Sequence, residues 1–489
     1  MMKTNPLAGG FVFFDRDDDA EGKCLRHVRF SFCPNCRMKS AAWTRQQRTR
    51  RTMDMVRTYD EAVAWIHGRL RLGMKPGLKR MEWMMEKLGH PERRVRAVHI
   101  GGTNGKGSTV AYLRSILQAA GYSVGTFTSP YVEQFNERIS INGEPISDQE
   151  IVELVQVIQP LADELEKTEL GGPTEFEVIT AMMLYYFGKQ NVQDIVLVEV
   201  GLGGRLDSTN VIYPLVSVIT NVSYDHMNIL GDTLAQIAAE KAGIIKPGVP
   251  LVTAVKEPEA WEVIAKTAAE RKAKLYRLGV DFTVTDWKTT AEGEQFSLAT
   301  PFAEYRDVRI QMPGAHQVDN AAVAVMAAEL LRLGYSFLID PEHIADGLAA
   351  AAWPGRFEQV SGNPLIILDG AHNEAGIRAL VETVRAHYPD KRVHVLFAAL
   401  TDKPLERMIE PLDELADTIT FTTFDFPRAA AAEDLAALSS HPHKAVVGDW
   451  TAWIDGKKKE AGSDDLLLIT GSLYFISEAR KLLKKHTKR

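Results

Sequence analysis

One glycine-rich run, Gly101-Gly102-Thr103-Asn104-Gly105-Lys106-Gly107-Ser108-Thr109, holds the residue types that grip phosphate. Its glycines let backbone N–H groups close around an anion, and a helix starting beside it adds partial positive charge. Lys106 would reach the outer phosphates, and Ser108 or Thr109 could hold a Mg²⁺. The strict Walker pattern is broken, because Ile100 stands where its first glycine belongs and Gly107 follows the lysine. The plain alternative is an ordinary strand-to-helix turn. A Gly-Lys pair with three more glycines and a Ser-Thr favours nucleotide binding.

Two other residues could serve the same chemistry. Glu199 interrupts the apolar run Ile195-Val196-Leu197-Val198-Glu199-Val200-Gly201. A carboxylate is costly to bury unpaired, so an acid holding Mg²⁺ is favoured here over a core salt bridge. His226 follows Asn221-Val222-Ser223-Tyr224-Asp225 just past another apolar run. A lone histidine is more often structural than a ligand, and the residues alone leave His226 open.

Such groups meet only if strand ends are gathered on one edge, as in open parallel sheets, whose ligands collect at the carboxyl ends. The pattern supplies that scaffold. Apolar runs at 95–101, 123–127, 195–201, 216–220 and 250–254 read as strands, with helices at 110–120, 148–166, 175–189 and from 233. Residues 136–143 read as a hairpin around Asn142-Gly143. A helix, a strand and a helix are expected to run on to about Gly314, with 281–312 alternating like an antiparallel edge. Ahead of the loop, Ala62, Val63, Ile66 and Leu70 share a helical face, a basic stretch spans Arg69 to Arg80, and 81–88 reads as a short helix. An alanine-rich helix runs from 313 to about 334, and a short one leads to Trp353-Pro354-Gly355-Arg356, whose punctuation marks a domain boundary. Beyond it, strands at 365–369, 393–398, 418–423 and 466–470 alternate with helices, and a basic helix covers 481–485. The expected divisions are a leader at 1–52 and domains at 53–352 and 353–489.

With 489 residues, 45% hydrophobic and 25% charged, the chain is expected to be a soluble protein of two domains. No apolar run approaches the ~18 residues of a membrane span. The net charge is −7, and residues 1–52 hold six more basic than acidic groups, leaving −13 on the rest. That balance argues against nucleic acid as a partner, and an anionic substrate would need local basic groups. All three cysteines (Cys24, Cys33, Cys36) lie in the leader, so no disulfide framework is expected in the body, which suits the cytoplasm. Cys24-x-x-His27 and Cys33-x-x-Cys36 could pair as zinc ligands, but five residues between the pairs are too few for known spacings. A disordered leader or a wrongly chosen start is the favoured reading of 1–52.

Several motifs in order resemble one family. They are Gly102-Thr103-Asn104-Gly105-Lys106-Gly107-Ser108, Thr128-Ser129-Pro130, Glu199 ahead of Gly201-Leu202-Gly203-Gly204-Arg205-Leu206-Asp207, Asp225-His226, Lys241-Ala242-Gly243, Pro354-Gly355-Arg356 and Asp369-Gly370-Ala371-His372-Asn373. Together they resemble the folylpolyglutamate synthases, whose bacterial members often act as dihydrofolate synthases, within the wider Mur ligase family. The resemblance implies an α/β protein: an N-terminal P-loop ATPase domain with a mostly parallel sheet and a smaller C-terminal Rossmann-like domain. It implies an ATP-dependent ligase that phosphorylates a folate carboxylate and lets L-glutamate displace the phosphate. ATP would contact Thr103, Asn104, Gly105, Lys106, Gly107, Ser108, Asn320, Arg356 and Asp369. Ser108, Glu199 and His226 would hold Mg²⁺, with a second ion placed through a carbamylated Lys241. His372 would assist beside Lys106 and Lys241. The acceptor, a reduced folate or dihydropteroate, would meet Ser129, Pro130, Thr174, Glu175, Phe176, Glu177, Leu206, Asp207 and Ser208, with Arg69, Lys75 or Arg138 supplying positive charge. The family is usually monomeric, and neither nucleic acid nor membrane is an expected partner.

A Mur ligase of cell-wall synthesis is the nearest alternative. The roughly 46 residues between Met55 and Gly101 are too few for the UDP-binding domain such enzymes usually carry. A regulatory GTPase would need Asn-Lys-x-Asp, and no asparagine in this chain precedes a lysine.

Overall fold

The computed structural model describes residues 55–73 and 75–487. The readings made for residues 1–52, leader and zinc pairs alike, lie outside the described residues.

The glycine-rich run follows a central strand of an eight-stranded sheet. Its strands are β1 (Ala97–Gly101), β2 (Val124–Phe127), β3 (Ile139–Ile141), β4 (Glu144–Pro145), β5 (Ile195–Glu199), β6 (Val216–Ile219), β7 (Leu251–Thr253) and β8 (Leu275–Arg277), in the order β4-β3-β2-β5-β1-β6-β7-β8. From β2 to β8 every neighbouring pair is parallel. These strands are buried apolar runs, as covered parallel strands must be. The chain leaves β1 for β2 on one side and later enters β6 on the other, so β1 lies at a topological switch point. The hairpin β3–β4 turns through Asn142 and Gly143, both at positive φ (53° and 86°), as its Asn-Gly signal predicted.

The helix Lys106–Ala119 follows β1 and packs beneath the helices Ala315–Tyr335 and Pro341–Ala350. Ala315–Tyr335 is buried along most of its length, which explains its alanine content. Gly347 presses on Ile116: a Cβ there would lie 2.4 Å from the Ile116 Cα. Because backbone cannot yield as a side-chain tip can, Gly347→Val is expected to destabilise the chain by about 2–3 kcal/mol. Chemical denaturation would register the loss.

Two expectations fail here. At Gly68 the helix Tyr59–His67 tightens into a 3₁₀ turn, Gly68–Leu72, so Leu70 leaves the shared face and is 60% exposed, while Ala62 and Ile66 stay buried. Residues 281–312 do not extend the main sheet, and no helix lies between β8 and Gly314. Instead β9 (Thr283–Thr290), β10 (Gly293–Ala299) and β11 (Glu304–Ile310) form a separate antiparallel sheet. Its inner face, with Phe296, Leu298, Val308 and Ile310, packs into the core around Ala315–Tyr335.

The second domain is a six-stranded sheet in the order β12-β13-β17-β14-β15-β16, with β12 (Glu358–Gly362), β13 (Leu365–Leu368), β14 (Arg392–Phe397), β15 (Thr418–Phe421), β16 (Lys444–Val446) and β17 (Asp465–Thr470). Only β12 is antiparallel. It has hydrophobic cores on both faces. The closing helix, Leu473–Thr487, starts earlier than the basic run alone suggested. Among the described residues no helix is long and apolar enough to cross a membrane.

Candidate active site

The carboxyl ends of β1, β5 and β6 open into a cleft of about 730 Å³ that the second domain also lines. Gly105 caps the helix Lys106–Ala119 at φ 81°, and a Cβ on it would lie 2.2 Å from Asn320 Oδ1. Only glycine suits both the left-handed backbone and that approach. The departure from the Walker pattern at Gly107 has a steric reason too, since a Cβ there would fall 2.9 Å from the Trp353 indole nitrogen. Lys106 Nζ donates to the carbonyls of Gly102 (3.1 Å) and Thr103 (3.0 Å). Ser108 Oγ accepts from Gln317 Nε2 at 3.2 Å, and Asn320 Nδ2 donates to Gln317 Oε1 at 3.1 Å, so the alanine-rich helix props the loop from below. Sequence reading missed Gln317, a polar residue in the first turn of that helix.

Glu199 is 5% exposed and accepts from the Ser129 backbone N–H at 3.1 Å. Burial pushes its carboxyl pKa up, against the pull of Lys106 and the Ser129 N–H. Burial likewise lowers the Lys106 ammonium pKa, while Glu199 and Asp225 hold it up. His226 stands at φ 51°, a left-handed backbone that is unusual outside glycine, and its N–H donates to Asp225 Oδ1 at 2.9 Å. Lys241 lies in the last turn of the helix Leu234–Ala242 and is 3% exposed; burial, and next Lys106, lower its pKa to about 7. All four residues line the cleft.

Arg356, Asp369 and His372 reach the cleft from the second domain. Asp369 Oδ2 accepts from Phe357 N and Oδ1 from Ala371 N, each at 2.8 Å, which ties the interdomain linker to the end of β13. Burial, followed by the Lys403 charge, lowers the His372 pKa to about 4, so the ring is neutral at pH 7. The cleft thus joins a glycine-rich loop at a helix N-terminus and a buried acid to a neutral histidine and a guanidinium. Such a set can hold a polyphosphate and neutralise charge developing on a transferred phosphoryl group.

Comparison with known proteins agrees with this geometry. Residues 100–328 match the family model described as the Mur ligase middle domain, and 355–473 match the Mur ligase, glutamate ligase domain. The dihydrofolate synthase/folylpolyglutamate synthase of Bacillus subtilis (strain 168) is 50% identical over 430 residues, 88% of this chain and 100% of that one. This chain belongs to the folylpolyglutamate synthase family. A solved folylpolyglutamate synthase of Mycobacterium tuberculosis, complexed with ADP and AMPPCP, matches with a TM-score of 0.80 at 30% identity, over 87% of this chain and 99% of that one. An FPGS–AMPPCP–folate complex matches at 0.75 and 33% identity, over 87% and 100%. As a folylpolyglutamate synthase family member the chain is an ATP-dependent ligase with the two-domain α/β fold.

Within this family member the residues expected around the acceptor divide. Ser129 and Pro130 line the cleft, whereas Thr174, Glu175, Phe176, Glu177, Leu206, Asp207 and Ser208 are not among its lining residues. Thr174 and Glu177 form a capping box on the helix Glu175–Tyr185, and Glu177 also takes both bonds from Arg80 Nε (2.9 and 3.0 Å). Glu175 pairs with His67 at 2.9 Å, and the Phe176 ring lies 5.9 Å from that of Phe127. Asp207 is buried; it accepts from Leu202 N (2.8 Å) and Thr209 N (3.0 Å), shaping the loop after Glu199. Leu206 precedes it in that loop, and Ser208 opens the 3₁₀ turn Ser208–Val211 that Asp207 caps. Arg69 and Lys75, expected to supply charge to a substrate, instead donate to Pro173 O and Gly172 O, both at 3.3 Å. Arg138 lies against the Tyr131 and Phe135 rings, and its Nε has no hydrogen-bond partner.

Proposed function

We propose that this chain uses ATP to join L-glutamate to the γ-carboxylate of a reduced folate through an acyl phosphate, and that dihydropteroate also serves as acceptor. The observation that carries the reading is the single cleft in which the glycine loop and Lys106 face Glu199, His226, Arg356 and His372. Lys106 and the loop amides hold the outer phosphates, while Arg356 approaches from the second domain to balance charge as the phosphoryl group leaves. Asn320 and Asp369 border the nucleotide, and Ser129-Pro130 borders the acceptor.

Mg²⁺ suits the donor set. Among the described residues no three His, Cys, Asp or Glu side chains cluster as a self-sufficient metal cage, and Mg²⁺ usually takes one or two carboxylates with phosphate oxygens completing its shell. Glu199, His226 and Ser108 would hold it, and the ion would neutralise phosphate charge. A carbamate on Lys241 would turn a buried amine into an anion able to help hold a second ion. In this reading the chain works as a cytoplasmic monomer, without nucleic-acid or membrane partners, and its two domains meet at residues 352–353. The test is phosphate release from Mg²⁺-ATP by purified protein, expected only when L-glutamate is present together with a reduced folate or dihydropteroate. Release that requires a UDP-muramoyl peptide instead would overturn it.

A further inference from the structure

Asn373 forms a junction that the chemistry above does not use. It is 0% exposed and caps the helix Glu374–His387, its Oδ1 accepting from Gly376 N at 2.9 Å. The same oxygen accepts from Asn104 Nδ2 at 3.1 Å, and Asn373 Nδ2 donates to Asn104 Oδ1 and to Asp225 Oδ2, both at 3.0 Å. The orientation of the amide is fixed at both ends: a backbone N–H demands the oxygen on one side, and a carboxylate demands the nitrogen on the other. Every hydrogen-bonding position of this carboxamide is filled, two of its four partners belonging to a residue in the middle of the phosphate loop.

Asn104 is fastened from the first domain as well. Its N–H donates to Asn221 Oδ1 at 2.9 Å, and its carbonyl accepts from Thr220 Oγ1 at 2.6 Å. Asp225, the third corner, accepts from Lys403 Nζ at 2.7 Å and from the His226 N–H. Lys403 and Asn373 both come from the second domain, so that domain grips the loop at Asn104 and the His226 turn at Asp225. A helix cap alone needs only the bond to Gly376, and serine or aspartate would supply it equally well. The amide–amide pair and the bond to Asp225 exceed what capping requires.

We propose that Asn373 is a positioning residue for the nucleotide: through Asn104 and Asp225 it sets the shape of the phosphate loop and the His226 turn from the second domain. The proposal rests on the reading of the glycine loop as the ATP site. Asn373→Asp keeps the cap, removes both donated bonds and places a carboxylate against Asp225. Asn373→Ser keeps the cap with a side chain too short to reach either partner.

The test is titration of wild type, Asn373→Asp, Asn373→Ser, Asn104→Ala and the Asn104→Ala/Asn373→Ser double variant with a non-hydrolysable ATP analogue and Mg²⁺, alongside melting curves and steady-state kinetics. Asn373→Ser is expected to melt within a few degrees of wild type and Asn373→Asp lower, because its carboxylate is buried against that of Asp225. They should bind the analogue roughly ten- to a hundredfold more weakly, with a larger change in the KM for ATP than in that for glutamate. The double variant should be no worse than about its poorer single parent, since both changes break one junction. Wild-type binding by the Asn373 variants, or losses that multiply in the double variant, would overturn the proposal alone. A wild-type chain that fails to bind the analogue would overturn the loop reading and this proposal together.

Discussion

Lys106→Met is expected to lower turnover by roughly two hundred- to a thousandfold while shifting the melting temperature by only a few degrees. The Lys106 amine lies in the cleft on two loop carbonyls; burial lowers its pKa, and the Glu199 and Asp225 carboxylates oppose that shift. A cation fixed in a water-poor site opposes phosphoryl charge far more strongly than one in bulk water, and removing one such contact costs on the order of 3–4 kcal/mol in the transition state. Methionine keeps the apolar stem. Folding loses two hydrogen bonds but no longer buries an ammonium, and these terms oppose each other. The check is kcat at saturating ATP, folate and glutamate together with a thermal melt. More than a tenth of wild-type turnover in a chain that melts normally would remove Lys106 from the phosphate site.

What could be read beforehand follows from how local each signal is. The glycine loop stands out in the sequence because its residue types lie within nine consecutive positions. Glu199 was legible because a charge inside an apolar strand contradicts its surroundings. Asn373 and Asn104 are 269 positions apart, and nothing in either neighbourhood announces the other. Lys403 reads as one more loop cation until the fold sets it 2.7 Å from Asp225. Alternation marks 281–312 as an antiparallel edge without dividing it into strands, and that β9 to β11 form a sheet of their own depends on distant partners. β16 carried no pattern at all, because all three of its residues are exposed at the sheet edge. The acceptor-side positions were carried over by resemblance. At Asp207, Glu177 and Thr174 the same residue types turn out to hold their own loops and helix start together.

The other large effect concerns Lys241. Its folded pKa of about 7 lies below the ordinary 10.5 because the ammonium is buried and Lys106 stands nearby. Between those values the unfolded chain holds a proton that the native amine lacks, so stability must rise with pH; below about pH 7 both states are protonated and this contribution is flat. From pH 7 to 9 the gain is about 2 kcal/mol, and Lys241→Met should abolish it, measured by denaturant unfolding in CO₂-free buffer. The same shift leaves roughly half the amine unprotonated at pH 7, the form whose lone pair can attack CO₂ and release a proton to give a carbamate. Wild-type turnover is therefore expected to fall in CO₂-depleted buffer and recover with bicarbonate. Lys241→Met should stay about a hundredfold or more below wild type and ignore bicarbonate, because it has no nitrogen to modify. Equal turnover of wild type with and without CO₂ would exclude the carbamate. A parallel pH–stability slope in the methionine variant would show that the buried amine is not what titrates.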